Sequence, residues 1–568
     1  MPYVITQSCC NDASCTAVCP VDCIHPRLDA SAFTTTESLY IDPDACIDCG
    51  ACVDQCPVDA IVADDRLTPS QQRYLDISAA YFAARPTPAG PRRRIEARPS
   101  ADLTGLRIAV VGTGPAAMYA VWELLEHRGV EIDLYDRALT PYGLIRSGVA
   151  PDHPATKAVL TTFERAARRA DVTMHIGIEI GTHVTNDDLL AHHSAVIYAT
   201  GAASDRSSDV PGADLPGVHS ATEFVAWYNG HPDAADAAFD LSGERAVIVG
   251  NGNVAVDVAR ILLTDPDALA RTDIADHALD TLRDSGIREV VVLGRRGPAQ
   301  AAYTNPELLA LLDLDDVDIV VDAGEAEPDA LSAEDLAAPG AEPAARLKVQ
   351  LAQEFSTRPA TGAGKRLILR YLSSPIGYQG PGAVSTVIVA RNSLERSGDG
   401  TLCARTGTDT EDIAAGLVLQ SIGYRGNAVP GVPFDEARGV IPNAAGRVLT
   451  EPGGAPLPRV YATGWIKRGP TGVIGTNRRC ARETVACLLE DAAAGLLPVA
   501  PDRSALDALL RRRQPVALGY PEWARIDTAE RLQGRRTGRP RVKLTTVDAL
   551  RAAATAQPKG RPAEAVPP

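Results

Sequence analysis

Residues 106–117 read Leu-Arg-Ile-Ala-Val-Val-Gly-Thr-Gly-Pro-Ala-Ala, and residues 245–255 read Arg-Ala-Val-Ile-Val-Gly-Asn-Gly-Asn-Val-Ala. Each stretch is an apolar strand pattern, then a glycine turn, then the start of a helix. A dinucleotide pyrophosphate sits on such a helix N-terminus, because backbone N–H groups point at it. One such motif is weak evidence, but two predict an α/β body with two Rossmann-like dinucleotide-binding domains. The turn glycines are Gly112, Gly114, Gly250 and Gly252.

The two sites differ in the charge that follows the next strand. After the first turn, residues 131–136 end in Asp136, 24 residues beyond Gly112. A carboxylate there accepts from ribose hydroxyls and repels a 2′-phosphate, which suits FAD or NAD. After the second turn the strand ends in Arg295 and Arg296, whose guanidinium groups match phosphate geometry. The pair predicts FAD at the first site and NADP(H) at the second.

Two further strands suggest how the domains are connected. Residues 195–201 and 458–464 both end in Tyr-Ala-Thr-Gly. Each is a candidate for the point where the chain passes between the two nucleotide domains. The NADP-binding domain is then inserted into the FAD-binding domain, which resumes around residue 450.

A cysteine run near the N-terminus predicts iron–sulfur clusters. Residues 46–57 follow the bacterial ferredoxin pattern C-x2-C-x2-C-x3-C-P. A zinc ribbon instead needs two C-x2-C pairs with a longer spacer, so zinc is disfavoured. In this pattern the fourth cysteine of each half serves the cluster of the other half. The predicted ligands of one [4Fe–4S] cluster are Cys19, Cys46, Cys49 and Cys52.

The first half of the cysteine-rich segment is less regular. Its Cys15-x3-Cys19-Pro repeats the spacing of the second half, but the middle cysteines of the full motif are missing. The remaining predicted ligands are Cys9, Cys15 and Cys56, a pattern that resembles the [3Fe–4S] site of seven-iron bacterial ferredoxins. Cys10 and Cys23 are spare, and ligation by either would give [4Fe–4S] instead. Either can also be a small buried apolar residue, the interpretation favoured for Cys23. The loop before Cys15 is two residues shorter than in the full motif, so the choice between Cys9 and Cys10 as ligand stays open.

Composition excludes several classes of function. The net charge of −16 disfavours nucleic-acid and anionic-membrane partners. Residues 1–65 hold 11 acidic residues against Arg27 alone, a net of −10, which suits an electron carrier that docks by charge. No apolar run reaches transmembrane length and no signal peptide is evident. Nine of the 12 cysteines lie within residues 9–56, which favours metal ligation in a reducing cytoplasm over disulfides.

The expected organisation is multidomain, with an α+β bacterial ferredoxin-like head and the α/β body. A semi-extended Pro- and Arg-rich linker joins the two, and its Arg92, Arg93 and Arg94 are read as a solvated charge run. The end of the chain, 556–568, reads as disordered. The predicted units are the ferredoxin domain 1–65, linker 66–104, FAD-binding domain 105–205 and 451–500, NADP-binding domain 206–450, and C-terminal extension 501–568.

Four motifs resemble the adrenodoxin reductase-type ferredoxin–NADP reductases. They are residues 142–154, 251–254, 294–298 and 464–477. With the head added, the whole chain resembles the actinobacterial ferredoxin/ferredoxin–NADP reductase fusion. The resemblance implies FAD contacts at Ala116, Asp136, Leu144, Ile178, Trp465, Gly472, Val473 and Ile474. It implies NADP contacts at Asn251, Gly252, Asn253, Val254, Arg295, Arg296, Glu307 and Gly472.

The resemblance also places His153 near the flavin ring, and His153 and Glu307 are the candidate catalytic residues. Three of the residues implied by the resemblance also have a plainer interpretation. His153 could cap a turn, Trp465 could be a core residue, and Glu307 could be an ordinary acid in the first turn of a helix. Cys403, Cys480 and Cys487 offer no redox pair like that of the disulfide reductases.

The expected activity is FAD-dependent ferredoxin–NADP(+) oxidoreduction. NADPH gives a hydride to the flavin, and single electrons pass to the fused clusters and to an external ferredoxin or oxygenase-type acceptor. One alternative is the electron-delivering subunit of a glutamate synthase-like complex, which residues 46–57 and the Trp465 motif disfavour. Another is a docking or storage module on a flavoprotein that no longer turns over.

Overall fold

The computed structural model describes residues 2–86, 100–206 and 208–556. Within these ranges the chain forms a small N-terminal unit, two larger units that each contain a parallel sheet, and three C-terminal helices. The predicted combination of an α+β ferredoxin-like head with an α/β two-domain body is confirmed. None of the helices in these ranges has both the length and the apolar character needed to cross a membrane.

The N-terminal unit is built from two strand pairs and two short helices. Tyr3–Ile5 pairs antiparallel with Ile61–Ala63, and Ile24–His25 pairs with Tyr40–Ile41. The helices Ser14–Val18 and Ala51–Gln55 each end directly before a Cys-Pro pair. The internal duplication seen in the cysteine spacing is therefore also a duplication of local structure. The 3₁₀ turns of this unit are Ser31–Thr34 and Asp64–Arg66.

The linker prediction is wrong for its first part, because Arg73–Ala84 is a 12-residue helix. Its aromatic face is buried: Tyr81 stacks on Tyr40 of the head with ring centroids 4.2 Å apart, and Tyr74 belongs to the core of the unit that contains the second glycine turn. Tertiary packing of such a face stabilises a short helix more than local propensity does, so the sequence alone gave little signal. The charge run at 92–94 lies outside the described residues.

The first sheet has seven strands and contains the first glycine turn. Five of its strands are parallel, and Arg107–Val111 is the central one. This strand is buried along its whole length, which is why its residues after Arg107 are all apolar. The strand order is Asn443–Ala444, Arg447–Leu449, Pro456–Ala462, Ala195–Tyr198, Arg107–Val111, Glu131–Asp136 and Val172–Ile176. The helices of this unit are Pro115–Leu124, Leu144–Ser147, Pro154–Lys157, Leu160–Ala167, Asn186–His192, Trp465–Arg468 and Thr476–Ala493.

The second sheet is six-stranded, parallel, and contains the second glycine turn. Its order is Val218–Ser220, Leu417–Gln420, Arg245–Val249, Glu289–Leu293, Lys365–Arg370 and Val317–Val321. An antiparallel meander adds Ser373–Gln379, Thr386–Arg396 and Leu402–Ala414. The α-helices are Ala221–Tyr228, Asn253–Leu263, Pro266–Leu269, Asp276–Arg283, Asn305–Ala310, Ala323–Ala326, Ala330–Ala337 and Pro343–Thr357. The 3₁₀ turns are Pro232–Ala234, Pro298–Gln300 and Leu311–Asp313.

The chain crosses between the two units at a small two-stranded ribbon. Ser204–Asp205 pairs antiparallel with Tyr424–Arg425, so the outgoing and returning segments lie side by side. Two expectations are thereby corrected. The return does not occur near Gly464, and Asn443–Ala444 and Arg447–Leu449 already belong to the first sheet, before the predicted boundary at 450. These edge strands are short and polar, so they carry no apolar run that sequence patterning could detect.

The C-terminal extension packs against both nucleotide units. Its helices are Arg503–Arg513, Tyr520–Thr537 and Val547–Thr555. Glu530 forms a bidentate pair with Arg146 of the first unit at 2.5 and 2.9 Å. The side chain of Lys543 is 1% exposed, and its Nζ lies 3.2 Å from Oδ2 of Asp273 in the second unit. The extension therefore ties the two units together from one side. Residues 557–568, which include nearly all of the end expected to be disordered, lie outside the described residues.

Candidate functional site

The first glycine turn has the geometry needed to cradle a pyrophosphate. Gly112 has φ +109°, and a Cβ there would lie 2.5 Å from the carbonyl oxygen of Ala199, so only glycine fits. Gly114 faces open space, since a Cβ at this position would have no other atom within 4 Å. The helix Pro115–Leu124 begins directly after it. The free N-terminal N–H groups of that helix face this opening.

Asp136 lies at the end of the next strand, beside this turn. Its carboxylate accepts from the backbone N–H of Thr113 and of Ala138, each at 2.9 Å. These bonds fix the acid where a ribose would sit, next to the glycine turn. The backbone N–H of Ile178 donates to the carbonyl oxygen of Asp136 at 2.8 Å. The side chain of Ile178 is 1% exposed and belongs to the apolar core, so only its main chain borders the site.

The opposite wall comes from three loops of the same unit. Leu144 is 38% exposed, an unusual exposure for a leucine at the centre of a unit, and it follows Gly143, which packs against Gly114. Ala116 packs closely against Gly464, since a Cβ added to Gly464 would overlap the Cβ of Ala116. Trp465 donates its indole N–H to the carbonyl oxygen of Thr471 at 3.0 Å, which orients its ring beside the loop of Gly472, Val473 and Ile474. An apolar ligand would cover this exposed surface.

The second glycine turn repeats the first. Gly250 has φ +108°, and a Cβ there would overlap the carbonyl oxygen of Ser421. Asn251 and Asn253 are anchored from the other side, since the N–H of Tyr303 donates to the Asn251 carbonyl at 2.9 Å and that of Thr304 to Asn253 Oδ1 at 2.8 Å. Gly252 is the N-cap of Asn253–Leu263, and Val254 in its first turn packs on the core.

Arg295 and Arg296 are adjacent cations that directly follow the next strand. Among residues 2–86, 100–206 and 208–556, no carboxylate forms an ion pair with either guanidinium group. Burial, and then the positive charge of Arg295, lower the pKa of Arg296. Two adjacent cations without a protein counter-charge fit a phosphate, which accepts two hydrogen bonds from one guanidinium.

A buried polar cluster lies between the two nucleotide units. His153 Nε2 lies 3.9 Å from Glu307 Oε2, and Arg260 Nη1 lies 3.6 Å from the same oxygen. Burial, and then the charge of Asp257, raise the pKa of Glu307. Gln7 of the N-terminal unit also reaches the cluster, donating to Glu307 Oε1 at 3.1 Å. The structure thus brings together the two candidate catalytic residues, which lie 154 positions apart in the sequence.

Sequence reasoning missed Arg260, Asp257 and Gln7. Arg260 is 5% exposed and forms hydrogen bonds to Asp152 at 2.5 and 3.2 Å and to Asp257 at 2.7 Å. The only signal was its position in the largely apolar helix Asn253–Leu263, where Arg260 follows Asp257 by three residues and a buried charge needs a partner. Gln7 carried no signal, because its partners are distant in sequence.

One group of cysteines surrounds a small cavity of the N-terminal unit and is here called the outer cysteine group. It consists of the predicted ligands Cys19, Cys46, Cys49 and Cys52. Cys49 is exposed, and the neighbouring Ile47 is 58% exposed, so this group lies near solvent. Cys23 lines the same cavity, with its Sγ 3.4 Å from that of Cys19. Cys23 therefore lies beside the four-cysteine site and away from the three-cysteine one.

The other predicted ligands, Cys9, Cys15 and Cys56, are here called the inner cysteine group. Electrostatic interactions link Cys15 to Cys9 and to Cys56, and Cys10 interacts with the same two partners. Burial raises the pKa of the Cys9 thiol to about 11. Buried thiols without a counter-charge fit cluster ligation, since iron binding replaces the proton on sulfur.

The inner group faces the first nucleotide site. The backbone N–H of Gly475 donates to the carbonyl oxygen of Cys10 at 2.6 Å, one residue after the segment Gly472–Ile474. Arg478 donates to the carbonyl oxygen of Asp12 at 2.7 Å. Cys480 is buried near this segment, accepting from the N–H of Gly464, but Cys403 lies on a distant exposed strand. Among the described residues outside the N-terminal unit, the cysteines therefore form no redox pair at this site.

Two family models match the chain. The model described as "Pyridine nucleotide-disulphide oxidoreductase" matches residues 106–292, and the "4Fe-4S binding domain" model matches residues 39–62. The first covers most of the first unit and the start of the second. The other covers the complete cysteine motif of the N-terminal unit.

Similar proteins cover the full length. A "Probable ferredoxin/ferredoxin--NADP reductase" of Mycobacterium tuberculosis is 47% identical over 572 residues, 98% of this chain and 96% of the relative. The "NADPH-ferredoxin reductase FprA" of the same organism is 45% identical over 456 residues, 78% of this chain and 98% of the relative. The solved structure of M. tuberculosis FprA in complex with NADPH matches with a TM-score of 0.75 at 43% identity, covering 79% of this chain and all of that one.

The full-length relative matches the N-terminal unit as well as the two nucleotide units, and the chain belongs to the ferredoxin/ferredoxin–NADP reductase family, FAD-dependent oxidoreductases that transfer electrons between NADPH and ferredoxin.

Proposed function

We propose that electrons enter this reductase at the second nucleotide site, cross the first, and leave through the N-terminal unit. The contact between Gly475 and Cys10 carries this proposal, because it sets the inner cysteine group against the segment Gly472–Ile474. When bound, FAD accepts a hydride from NADPH and iron–sulfur clusters carry single electrons, chemistry that the cofactors themselves supply. The protein holds these groups in order and excludes water between them.

The FAD site is proposed to be the first glycine turn and the loops facing it. The open space at Gly114 and the exposed Leu144 support this assignment. Asp136 would hold the adenosine ribose, and Ile178 contributes its main chain only. The proposed FAD-binding residues are Gly112, Gly114, Ala116, Asp136, Leu144, Ile178, Trp465, Gly472, Val473 and Ile474.

The NADP(H) site is proposed to be the second turn. Arg295 and Arg296 would hold the 2′-phosphate, since neither has a carboxylate partner among the described residues. His153 and Glu307 would border the nicotinamide, where Arg260 supplies the counter-charge of the buried carboxylate. The remaining proposed contacts are Gly250, Asn251, Gly252, Asn253, Val254 and Gly472.

The outer cysteine group is proposed to hold a [4Fe–4S] cluster and the inner group a [3Fe–4S] cluster. Three cysteines suit the inner site, and Cys23 lies too close to Cys19 to serve it. Cys10 is the spare cysteine near the inner group, so its ligation would make that cluster [4Fe–4S]. The carbonyl oxygen of Cys10 is already bound to Gly475, which favours a structural role for this residue.

The external acceptor is proposed to dock at the outer group. Cys49 and Ile47 are exposed there, and the surrounding unit has a net charge of −10 over residues 1–65. A ferredoxin or oxygenase-type acceptor with a basic rim around an apolar patch fits this surface. The free thiols favour a reducing compartment, the cytoplasm.

The route can be tested with Cys49→Ser, measured beside Thr34→Ser as a control at an exposed position of the same unit outside both cysteine groups. We expect Cys49→Ser to abolish NADPH-driven cytochrome c reduction while ferricyanide reduction at the flavin is kept. An anaerobic NADPH titration should then bleach the flavin and leave the EPR signal of the outer cluster absent. Undiminished cytochrome c reduction in Cys49→Ser would contradict the route.

A further inference from the structure

The helix Asn305–Ala310, which carries Glu307, is held by the N-terminal unit. Its N-cap residue, Thr304, makes no capping side-chain bond. Glu37 of the N-terminal unit takes that place: its Oε2 accepts from the Asn305 N–H at 2.9 Å and from Asn305 Nδ2 at 3.0 Å. An acidic acceptor at the first turn stabilises a helix through its unsatisfied N–H groups.

Glu37 is itself firmly positioned. Its Oε1 lies 2.6 Å from Lys348 Nζ, and the two side chains are only 15% and 9% exposed. Lys348 also donates to the carbonyl oxygen of Ala301 at 3.0 Å, in the loop that leads to the helix. A half-buried pair with further hydrogen bonds differs from a solvated surface ion pair, because removing one partner leaves the other charge uncompensated.

Gln7 contacts the carboxylate of Glu307 on the same helix. Its Nε2 lies 3.1 Å from Glu307 Oε1 and 3.2 Å from His153 Nε2. The preceding Thr6 is fixed by two hydrogen bonds to the carbonyl oxygen of Ala60, from its N–H at 2.8 Å and its hydroxyl at 3.1 Å. Gln7 therefore extends from a rigid loop, two residues before the inner ligand Cys9.

Gln7 is the sole hydrogen-bond donor to the Glu307 carboxylate among the residues the structure describes. Glu307 Oε2 is buried without a hydrogen-bond partner. The other groups facing the carboxylate act through charge: His153, Asp257 and Arg260 at close range, and Tyr74 at longer range. Removing a donor from a buried acceptor costs more than the net value of one hydrogen bond.

We propose that Gln7 and Glu37 are positioning residues for the NADPH reaction, so that the fused ferredoxin unit completes the nucleotide site as well as receiving its electrons. The proposal rests on the assignment of His153 and Glu307 to the nicotinamide end of the NADP(H) site. Glu37 holds the start of the Glu307 helix, and Gln7 holds the carboxylate and the imidazole facing it. Docking of the unit is thereby coupled to the geometry of hydride transfer.

A pH dependence follows from the Gln7 contact. Its N–H stabilises the charged carboxylate and so lowers the pKa of Glu307, against the larger effects of burial and Asp257, which raise it. Loss of the donor raises the pKa further. At a given pH more of the carboxyl group is then protonated, and a pH profile that reports Glu307 moves toward higher pH.

The test uses the full-length holoenzyme with four variants. Gln7→Ala removes the donor, and Glu37→Ala removes the acceptor at the helix start. Glu37→Gln retains an acceptor for the Asn305 N–H and serves as the conservative rescue. Gln72→Ala is the matched control, since Gln72 is an exposed glutamine directly before the helix Arg73–Ala84, and its side chain donates only locally, to the carbonyl oxygen of Leu67. The readouts are amide hydrogen exchange over 305–310, NADP⁺ binding by calorimetry, and stopped-flow bleaching of the flavin by NADPH.

We expect amide exchange over 305–310 to accelerate about tenfold in Gln7→Ala and Glu37→Ala, in line with loss of one charge-assisted hydrogen bond. Flavin bleaching should slow by a similar factor, and its pH profile should move upward in Gln7→Ala. Glu37→Gln should recover part of both rates, because it keeps an acceptor for the Asn305 N–H but leaves Lys348 without its counter-charge. Gln72→Ala should match the wild type. A unit that only docked would change transfer to the clusters and leave flavin bleaching unaltered.

Two results would overturn the inference. Unchanged exchange and bleaching in Gln7→Ala and Glu37→Ala would show that the contacts do no positioning. Faster bleaching with tighter NADP⁺ binding in Gln7→Ala would show that Gln7 obstructs the nicotinamide. A wrong assignment of His153 and Glu307 to the NADP(H) site would give a different result. In that case NADP⁺ would not protect the amides of 305–310 from exchange in the wild type.

Discussion

Gly475 donates its backbone N–H to the carbonyl oxygen of Cys10 at 2.6 Å, and this contact leaves no room for a side chain. The backbone of Gly475 is right-handed helical, with φ −72°, which any residue adopts without strain. A Cβ at Gly475 would nevertheless overlap the main-chain carbonyl group of Asn11. The glycine is therefore required by the docked ferredoxin unit and not by its own conformation.

Gly475→Ala should separate the two halves of the reaction. The added methyl group meets main-chain atoms, which cannot rotate away, so the ferredoxin unit must shift from the FAD-binding unit. We expect NADPH–cytochrome c reduction to fall at least about tenfold, since a small misplacement of reacting partners is costly. Ferricyanide reduction should fall by a smaller factor, because the displaced unit also loosens the contacts that Gln7 and Glu37 make at the NADP(H) site. Gly398→Ala, at an open glycine, is the control. Equal loss of both activities would contradict this interpretation.

Arg296→Ala should relax the choice between the two nicotinamide cofactors. The guanidinium groups of Arg295 and Arg296 have no carboxylate partner in the described part of the chain, so the 2′-phosphate is their expected counter-charge. The Kd of NADPH should rise roughly 10- to 100-fold, while that of NADH changes little. Steady-state kinetics with both cofactors measure the ratio, and Arg512→Ala, on an exposed helix face, is the control. A parallel loss for NADH would argue against a phosphate site here.

The parts of this molecule that could be predicted from the sequence are local. A strand, a glycine turn and the charge after the next strand lie within about 30 residues of one another in the first motif and within about 50 in the second, so Gly112, Asp136, Gly250 and Arg296 could be singled out from the sequence pattern alone. The cysteine motif is local for the same reason. These are also the features for which backbone conformation restricts the choice of residue.

The parts that could not be predicted depend on contacts between distant segments. Gln7 and Glu307 lie 300 positions apart, and no periodicity joins them. Cys23 was open as a ligand for the inner site, because spacing does not show that its sulfur lies 3.4 Å from Cys19. The helix Arg73–Ala84 was missed because it is stabilised by aromatic packing across two units.

Cys10→Ser and Cys15→Ser distinguish the two descriptions of the inner cluster. If Cys9, Cys15 and Cys56 are the full ligand set, Cys10→Ser should retain about seven irons per chain and the oxidised [3Fe–4S] EPR signal. Cys15→Ser should lose that cluster and keep about four irons. Iron and sulfide analysis with EPR provides the measurement. Eight irons in the wild type, falling to seven in Cys10→Ser, would instead make Cys10 a ligand.

Glu530 stabilises the attachment of the C-terminal extension, and its contribution depends on pH. Its side chain is fully buried between Arg146 and Arg541, and it also accepts from the N–H of Leu544 at 2.9 Å. Burial alone would raise the pKa of Glu530, but the pairing with the two arginines lowers it below the ordinary value. A lowered pKa contributes stability above the pKa of the unfolded chain, and this stability is lost as the pH falls through the folded value.

Glu530→Gln should therefore destabilise the protein near neutral pH, and the difference from wild type should shrink on acidification below about pH 4. Removing one member of a buried ion pair costs about 3 kcal/mol, because both arginines lose their counter-charge. Urea unfolding of the two proteins at pH 7, 5 and 3.5 measures the difference, with Asp548→Asn, at an exposed acid of the last helix, as the control. A difference that stays constant across this range would mean that the Glu530 carboxylate contributes no charge-dependent stability, and that packing alone attaches the extension.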